Sequence, residues 1–414
     1  MRAAARHPDR AHDRAGRLRR PLVLLMAVAT GIAVANLYYA QPLLPDIGRG
    51  LGLRPASAGL IVTVSQVGFA SGLFFLLPLG DLVDRRRLVG ALAVACAAAL
   101  CLFGAAPDTA ALFVGAFLVG ATSVLAQILV PFAATLAAPE ERGKVVGTVM
   151  SGLLVGILCA RTVSGALAAG GDWRLVYFVA AGAMVLLAGV LLRSLPTQKV
   201  RAALGYRALL TSTLRLYRDE PVLRRRSVYA FCGFGTFNVL WTSIAFLLSR
   251  TYHDSSLVIG LFGLIGAAGA LSANLAGRLS DRRRTRLVTG TAVALLALSW
   301  AATYAGASAL GALIVGMIVL DVGTQALHIT NQGEIYRLDP AARSRLTAAY
   351  MIATFAGGAL GSASSAALYA RAGWHGVSLL GAAVALAAVG VFTAARLREH
   401  WRAPAPAESA EAPA

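Results

Sequence analysis

The sequence predicts an all-α integral membrane protein, with twelve transmembrane helices in two pseudo-symmetric six-helix bundles. Three observations predict it. The chain is 57% hydrophobic and only 14% charged, with a mean hydropathy of +0.69, whereas soluble domains are about 45–50% apolar and about 25% charged. A helix needs about 20 apolar residues to cross a hydrocarbon core of about 30 Å, and twelve such runs can be laid along the 414 residues. The halves of the chain also repeat one another. "GDLVDRRRLV" at 80–89 returns as "GRLSDRRRTRLV" at 277–288, "GAFLVG" at 115–120 as "GALIVG" at 311–316, and "GDWRLV" at 171–176 as "AGWHGV" at 372–377.

Residues 1–20 hold seven arginines and no apolar run, so they read as a basic cytoplasmic tail. The first six spans are expected at 22–45, 57–80, 88–106, 110–136, 145–169 and 174–193, within an N-terminal bundle over 21–193. The run from 22 is long enough to cross the bilayer, and it is expected to be retained rather than cleaved as a signal. Period-two alternation would mark barrel strands, and runs such as "LVGALAVACAAALCLFGAA" lack it. A basic linker follows over 194–226. The second six spans are expected at 227–249, 256–279, 287–305, 309–332, 346–370 and 375–396, within a C-terminal bundle over 227–398. Residues 399–414, ending in "ESAEAPA", read as a disordered cytoplasmic tail.

A net charge of +19 invites a nucleic-acid reading, and the distribution of charge argues against it. With the amino terminus in the cytoplasm, 32 of the 38 Lys and Arg fall on that side. The positive-inside rule then places both termini in the cytoplasm, and basicity is a topology signal. Cys96, Cys101, Cys159 and Cys232 all sit in expected spans as small apolar fillers. No metal spacing, cofactor-binding loop or pairing of nucleophile with base is visible, so neither a cofactor nor enzyme chemistry is expected. Two like-oriented six-helix halves form the parallel repeat of a rocker-type transporter, whose substrate lies between the halves near the midplane.

The duplicated "GDLVDRRR" and "GRLSDRRR", each after an even-numbered span, resemble the loop signature of the major facilitator superfamily, and the resemblance covers essentially the whole chain. "NLYYAQPLLPDIGRGLGL" and "VVGTVMSGLLVGILCARTVSG" resemble a bacterial drug-efflux-like branch of it. The resemblance marks Gly80, Asp84 and Arg85, and their repeats Gly277, Asp281 and Arg282, as cytoplasmic gate loops. It implies that Asp84 meets the start of span 11 near Arg343 and Arg345, and the repeat puts Asp281 near Arg142 and Lys144. The plainer reading of the arginines is that they only set topology. Where the family has a turn glycine three residues after the Asp, this chain has Arg87 and Arg284, so these loops are expected to turn differently.

Ionisable residues inside spans are sharper signals. Of 19 acids only Asp321 falls near the middle of a span, and of 38 bases only Arg161 lies well inside one. Each costs about 2.5–3.5 kcal/mol on insertion scales and belongs against a cavity or a partner. Gln325, His328, Asn331 and Gln332 follow Asp321, mostly on one helical stripe. In the family's arrangement spans 1, 4, 7 and 10 line the central cavity. That implies cavity roles for Asn36, Tyr38, Tyr39, Gln41, Gln127, Asn238, Trp241, Gln325 and His328, alongside the alternative that single amides glue helices together. Arg161 stands in "GILCARTVSG", where the family's antiporters carry a Gly-Pro pair in place of Ala160 and Arg161. Arg161 and Asp321 are expected to form an ion pair across the halves, either state-dependent and proton-coupling or static.

The functional expectation is proton-coupled export of small organic or drug-like compounds by alternating access. Trp241, Phe234, Phe237, Tyr38 and Tyr39 supply faces for apolar contact and cation–π attraction. A permease for one polar metabolite is the alternative, and a non-transporting membrane receptor a third. The expected partners are a small-molecule substrate, protons and the lipid bilayer, with no nucleic acid. A monomer in the bacterial inner membrane is the expected form.

Overall fold

The computed structural model describes residues 18–198, 205–269, 271–272, 284–339 and 342–402. The elements of the first half are α1 (Arg20–Ala35), α2 (Ala40–Gly50), α3 (Pro55–Phe75), α4 (Arg85–Gly104), α5 (Thr109–Thr122), α6 (Leu125–Leu136), α7 (Arg142–Ala168) and α8 (Arg174–Ser194). The short helix α9 (Tyr206–Asp219) follows. The second half holds α10 (Pro221–Thr251), α11 (Ser256–Leu261), α12 (Thr285–Ala305), α13 (Leu310–Tyr336) and α14 (Arg343–Arg402). Among the described residues ten helical stretches are long and apolar enough to cross a membrane. One of them, Arg345–Arg398, is 54 residues long and contains two crossings, because Gly373 at φ 61° and ψ −155° breaks α14 into two arms. Ser256–Gly269 begins one more, which accounts for the expected twelve.

The helix starts follow local chemistry. Proline opens α3 and α10, where its missing N–H costs nothing. Asp84, Asp108 and Ser255 cap α4, α5 and α11 with side-chain oxygens. Exposed leucines such as Leu186 (70%), Leu298 (67%) and Leu379 (64%) belong to an outer surface that suits lipid.

Small residues set the helix spacing, and they do so in the same way in both halves. In the first, α1 and α7 touch backbone to backbone: a Cβ on Gly152 would lie 2.2 Å from the Ala27 carbonyl, and one on Gly156 would lie 2.3 Å from that of Gly31. In the second, α10 meets α14 through Gly357, 2.2 Å from the Phe231 carbonyl, and Gly361, 2.3 Å from that of Gly235. Another pair relates Gly68, whose Cβ would be 2.2 Å from the Phe117 carbonyl, to Gly269, whose Cβ would be 3.0 Å from that of Asp321. Close approach of this kind is how helices associate in lipid, where apolar burial gives no net drive. The repeated tryptophans also correspond: Trp173 packs on Phe103 at the end of α4, and Trp374 donates to the Thr303 carbonyl (2.6 Å) near the end of α12.

We call the side carrying the starts of α1, α4, α7, α10 and α12 the terminal face, and the opposite side the far face. The halves are joined toward the far face. Hydrogen bonds that cross between them include Gln66 Nε2 to Asn238 Oδ1 (3.1 Å), the Thr162 hydroxyl to the Gly260 carbonyl (3.1 Å), the Ser362 hydroxyl to the Gly59 carbonyl (3.4 Å), and the Ser256 hydroxyl to the Asp46 carboxylate. At the terminal face α9 ties the halves indirectly. The Tyr206 hydroxyl donates to the Phe75 carbonyl (2.9 Å) and the Tyr217 hydroxyl to that of Ala349.

Candidate substrate and coupling site

Helix interruptions converge where the halves meet. Residues 36–39 separate α1 from α2; Pro42 cannot donate to the carbonyl of Tyr38, and its ring crowds that carbonyl. On the other half a 3₁₀ turn, Phe262–Ile265, follows α11. Arg161 of α7 enters between them, about 10 Å in from the far end of its helix. It fits because its neighbours lack side chains: a Cβ on Gly263 would lie 2.7 Å from Arg161 Cβ, and one on Gly260 2.6 Å from its carbonyl oxygen.

Arg161 is 3% exposed and sits in an aromatic cage. Its guanidinium lies 3.8 Å from the Trp241 ring, 5.0 Å from Tyr38 and 5.9 Å from Phe237. Desolvated cation–π contacts of this kind are worth about 2 kcal/mol. Its Nε donates to Gln41 Oε1 at 2.8 Å, while Nη2 is buried without a hydrogen-bond partner, as is Gln41 Nε2. Asp321, 4% exposed, accepts from Trp241 Nε1 at 3.3 Å. The expected direct ion pair between Arg161 and Asp321 is therefore not formed. Trp241 stands between the two charges, with the cation on its face and the carboxylate at its N–H edge. Arg161 belongs to the first half, while Trp241 and Asp321 belong to the second, so the assembly spans the seam.

The other cavity candidates divide. Tyr38 and Gln41 join the Arg161 cluster, both buried. Asn36 points elsewhere: its Nδ2 donates to Cys96 Sγ of α4 at 3.4 Å, inside the first half. Tyr39 is half-buried and lies in the electrostatic neighbourhood of Cys96 and Tyr177, also within that half. Asn238 is fully buried and joins helices, accepting from Gln66 and donating to the Phe234 carbonyl (3.0 Å). Gln127 and Gln325 are half-buried, the latter beside Gly269. His328 shares a 3.0 Å hydrogen bond between its Nδ1 and the Tyr350 hydroxyl.

At the first gate loop, Asp84 does not reach Arg345. Its carboxylate accepts from the Arg86 amide (3.0 Å) and the Gln198 amide (3.4 Å). Arg85 donates to the Gly80 carbonyl (3.0 Å) and pairs with Asp81 (3.1 Å). α4 starts directly at Arg85, so Arg87 is helical. Gly277, Asp281 and Arg282 lie outside the described residues.

Several residues were not anticipated from the sequence. Gln66 bridges the halves from span 2, which was not expected to line the interface. Arg226 and Glu334, 3.5 Å apart, sit just beyond the expected ends of spans 7 and 10. Among the described residues only Arg161, Arg226 and Asp321 are fully buried charges. For Gln66 the signal was a lone amide in an apolar run; for the Arg226–Glu334 pair it was opposite charges at two helix ends.

The chain matches the family model described as Major Facilitator Superfamily over residues 26–336. It is 50% identical over 366 residues to the uncharacterized transporter YgaY of Escherichia coli O157:H7, covering 88% of this chain and 93% of that protein. It is 26% identical over 286 residues to a chloramphenicol resistance protein of Streptomyces lividans, covering 68% and 72%. In fold it is similar to a bacterial homolog of the human lysosomal transporter Spinster, in a structure titled as inward-facing and unoccupied, with a TM-score of 0.76 at 16% identity over 93% of this chain and 99% of that one. Twelve-helix duplication, the glycine seams common to both halves and these matches agree: the chain belongs to the major facilitator superfamily, as a multi-pass membrane transporter.

Proposed function

We propose that the protein exports small organic or drug-like compounds by alternating access, driven by protons taken up at Asp321. The observation that carries this is the Arg161–Trp241–Asp321 assembly, which joins the two halves around buried, opposite charges. Rocking the halves moves Arg161 against Trp241. Protonating Asp321 weakens it as an acceptor for Trp241 Nε1 and removes a buried negative charge from the neighbourhood of the Arg161 cation, which biases the equilibrium between two states that interact with that charge differently. The terminal face is taken as cytoplasmic on the positive-inside rule, so the cross-half bonds near Asp46 and Gly260 lie toward the outer side of the membrane. The gate residues Gly80, Asp84 and Arg85 would act at the terminal face as the halves rock. The likeness to a chloramphenicol resistance protein favours export.

A second reading, a permease for one polar metabolite, is favoured by the unpartnered buried donors Arg161 Nη2 and Gln41 Nε2, which suit a polar ligand. A growth panel in an efflux-deficient bacterial host separates the two. It compares the native chain with Asp321→Asn at matched membrane levels across dyes, antibiotics, organic acids and sugars. Resistance that disappears in the variant supports the proposal; no resistance to any compound overturns export.

A further inference from the structure

The halves meet along α3 of the first and the first arm of α14 of the second, which run antiparallel. Toward the far face the Ser362 hydroxyl donates to the Gly59 carbonyl (3.4 Å). Further along, Phe69 packs on Phe355 with ring centroids 4.2 Å apart. The same register puts Phe75 and Ala349 at corresponding heights near the terminal face. Their carbonyls are the two that accept from α9, Phe75 from the Tyr206 hydroxyl (2.9 Å) and Ala349 from the Tyr217 hydroxyl. The anchors are eleven residues apart, about 16 Å along the helix, so α9 clasps the terminal end of the cross-half pair.

Local structure supplies both acceptors. Phe75 is the last residue of α3. In the 3₁₀ turn that follows, Leu77–Asp81, the Leu79 amide bonds to the Leu76 carbonyl (3.1 Å), which leaves Phe75 a helix-end carbonyl for Tyr206 to satisfy. Ala349 lies within α14, and its carbonyl has a second lone pair for Tyr217. The face that α9 turns to the protein is one stripe, with Leu209 and Thr213 buried and Leu216 and Tyr217 half-buried. Arg207, Thr211, Leu214 and Arg215 on the other side are exposed.

The two ends are held unequally. Glu220 alone separates α9 from α10. Arg224, in the first turn of α10, donates to the carbonyls of Tyr217 (2.8 Å) and Arg218 (2.5 Å), which also sets a cation at the negative end of the α9 dipole. α9 therefore travels with the second half, and Tyr206 is the end that grips the first. One neutral hydrogen bond shifts an equilibrium by about two- to tenfold, enough to bias two arrangements and weak enough to break in each cycle. We propose that α9 is a releasable clasp, which lets go of Phe75 at Tyr206 as the halves rock and whose grip favours the arrangement joined at the far face. The clasp rests on the alternating-access reading and is independent of what the protein carries.

The test uses the full chain in membranes, in a cysteine-free background. Thr213→Cys reports on the covered face of α9, and Arg215→Cys on its outer face. Maleimide labelling at each position is timed by peptide mass, with and without an Asp46→Cys, Ser256→Cys disulfide that locks the far face. Labelling at position 213 is expected to be slow, and slower by about fivefold in the locked chain. Tyr206→Phe is expected to speed it about fivefold, and Tyr217→Phe by about twofold at most because Arg224 also holds that end. Position 215 is expected to label at one fast rate throughout. Labelling at 213 that ignores the lock, ignores Tyr206→Phe, or matches that at 215 would overturn the clasp. Transport of a compound scored in the growth panel, measured with the same lock, separates this failure from that of the underlying reading. If the lock stops transport, the halves rock without the clasp; if transport continues, rocking is overturned and the clasp with it.

Discussion

Trp241 holds two opposite charges on two parts of one ring system, a guanidinium on its face and a carboxylate at its N–H. Asn at position 321 keeps an acceptor oxygen for that N–H but cannot ionise, so Asp321→Asn is expected to insert and fold while losing transport. Trp241→Phe keeps an aromatic face for Arg161 and removes the donor; normal membrane levels with reduced transport are expected, read by growth on any compound scored in the panel. Trp241→Ala removes both and is expected to cost about 3–5 kcal/mol of stability, visible as a lower unfolding temperature in detergent. The two charges were legible in the sequence because an ionisable residue in an apolar run stands out. Their connection was not, because a tryptophan in such a run reads as packing and the sequence carries no sign of which ring edge faces which partner. Asn36 took the other role open to a single amide in an apolar run, bonding a neighbouring helix at Cys96.

The far-face seam depends on α11 and α7 touching through glycines. A Cβ at Gly260 would fall 2.6 Å from the Arg161 carbonyl, so Gly260→Val must push the helices apart. An Asp46→Cys, Ser256→Cys pair, placed where those residues bond across the seam, is expected to form a disulfide readily in a cysteine-free background and poorly once Gly260→Val is added. Equal yields would show that the glycine contact does not set the seam. At the other face Asp84 acts as a helix cap, and Asp84→Ala is expected to lower stability by about 1 kcal/mol in a thermal melt. The sequence located the loop; that Asp84 would cap the helix after it was not read from it. Helix ends were less legible. Runs of apolar residues stop at 332 and start at 227, whereas α13 continues to Tyr336 and α10 begins at Pro221, because Arg226 and Glu334 satisfy one another and allow charged turns to stay helical.

At the scale of the whole molecule, apolar run lengths, repeat offsets and the distribution of arginines were sufficient to read the twelve-helix duplicated architecture. Those features are dictated by the bilayer, which leaves the backbone few alternatives. The relative position of the halves is different, since it belongs to one state of a moving system and no residue type encodes it. With the far face joined by its cross-half hydrogen bonds, locking the Asp46→Cys, Ser256→Cys pair as a disulfide is expected to stop transport, and reductant is expected to restore it.

The central claim is that Asp321 couples protons to movement of the solute. The most direct measurement uses everted membrane vesicles carrying a preformed pH gradient, reported by a quenched pH-sensitive dye. A compound identified in the growth panel is added to vesicles holding the native chain or Asp321→Asn at equal amounts. The account predicts that the compound dissipates the gradient in native vesicles and leaves it intact in the variant. Equal dissipation in both, or transport in native vesicles that leaves the gradient untouched, would contradict it.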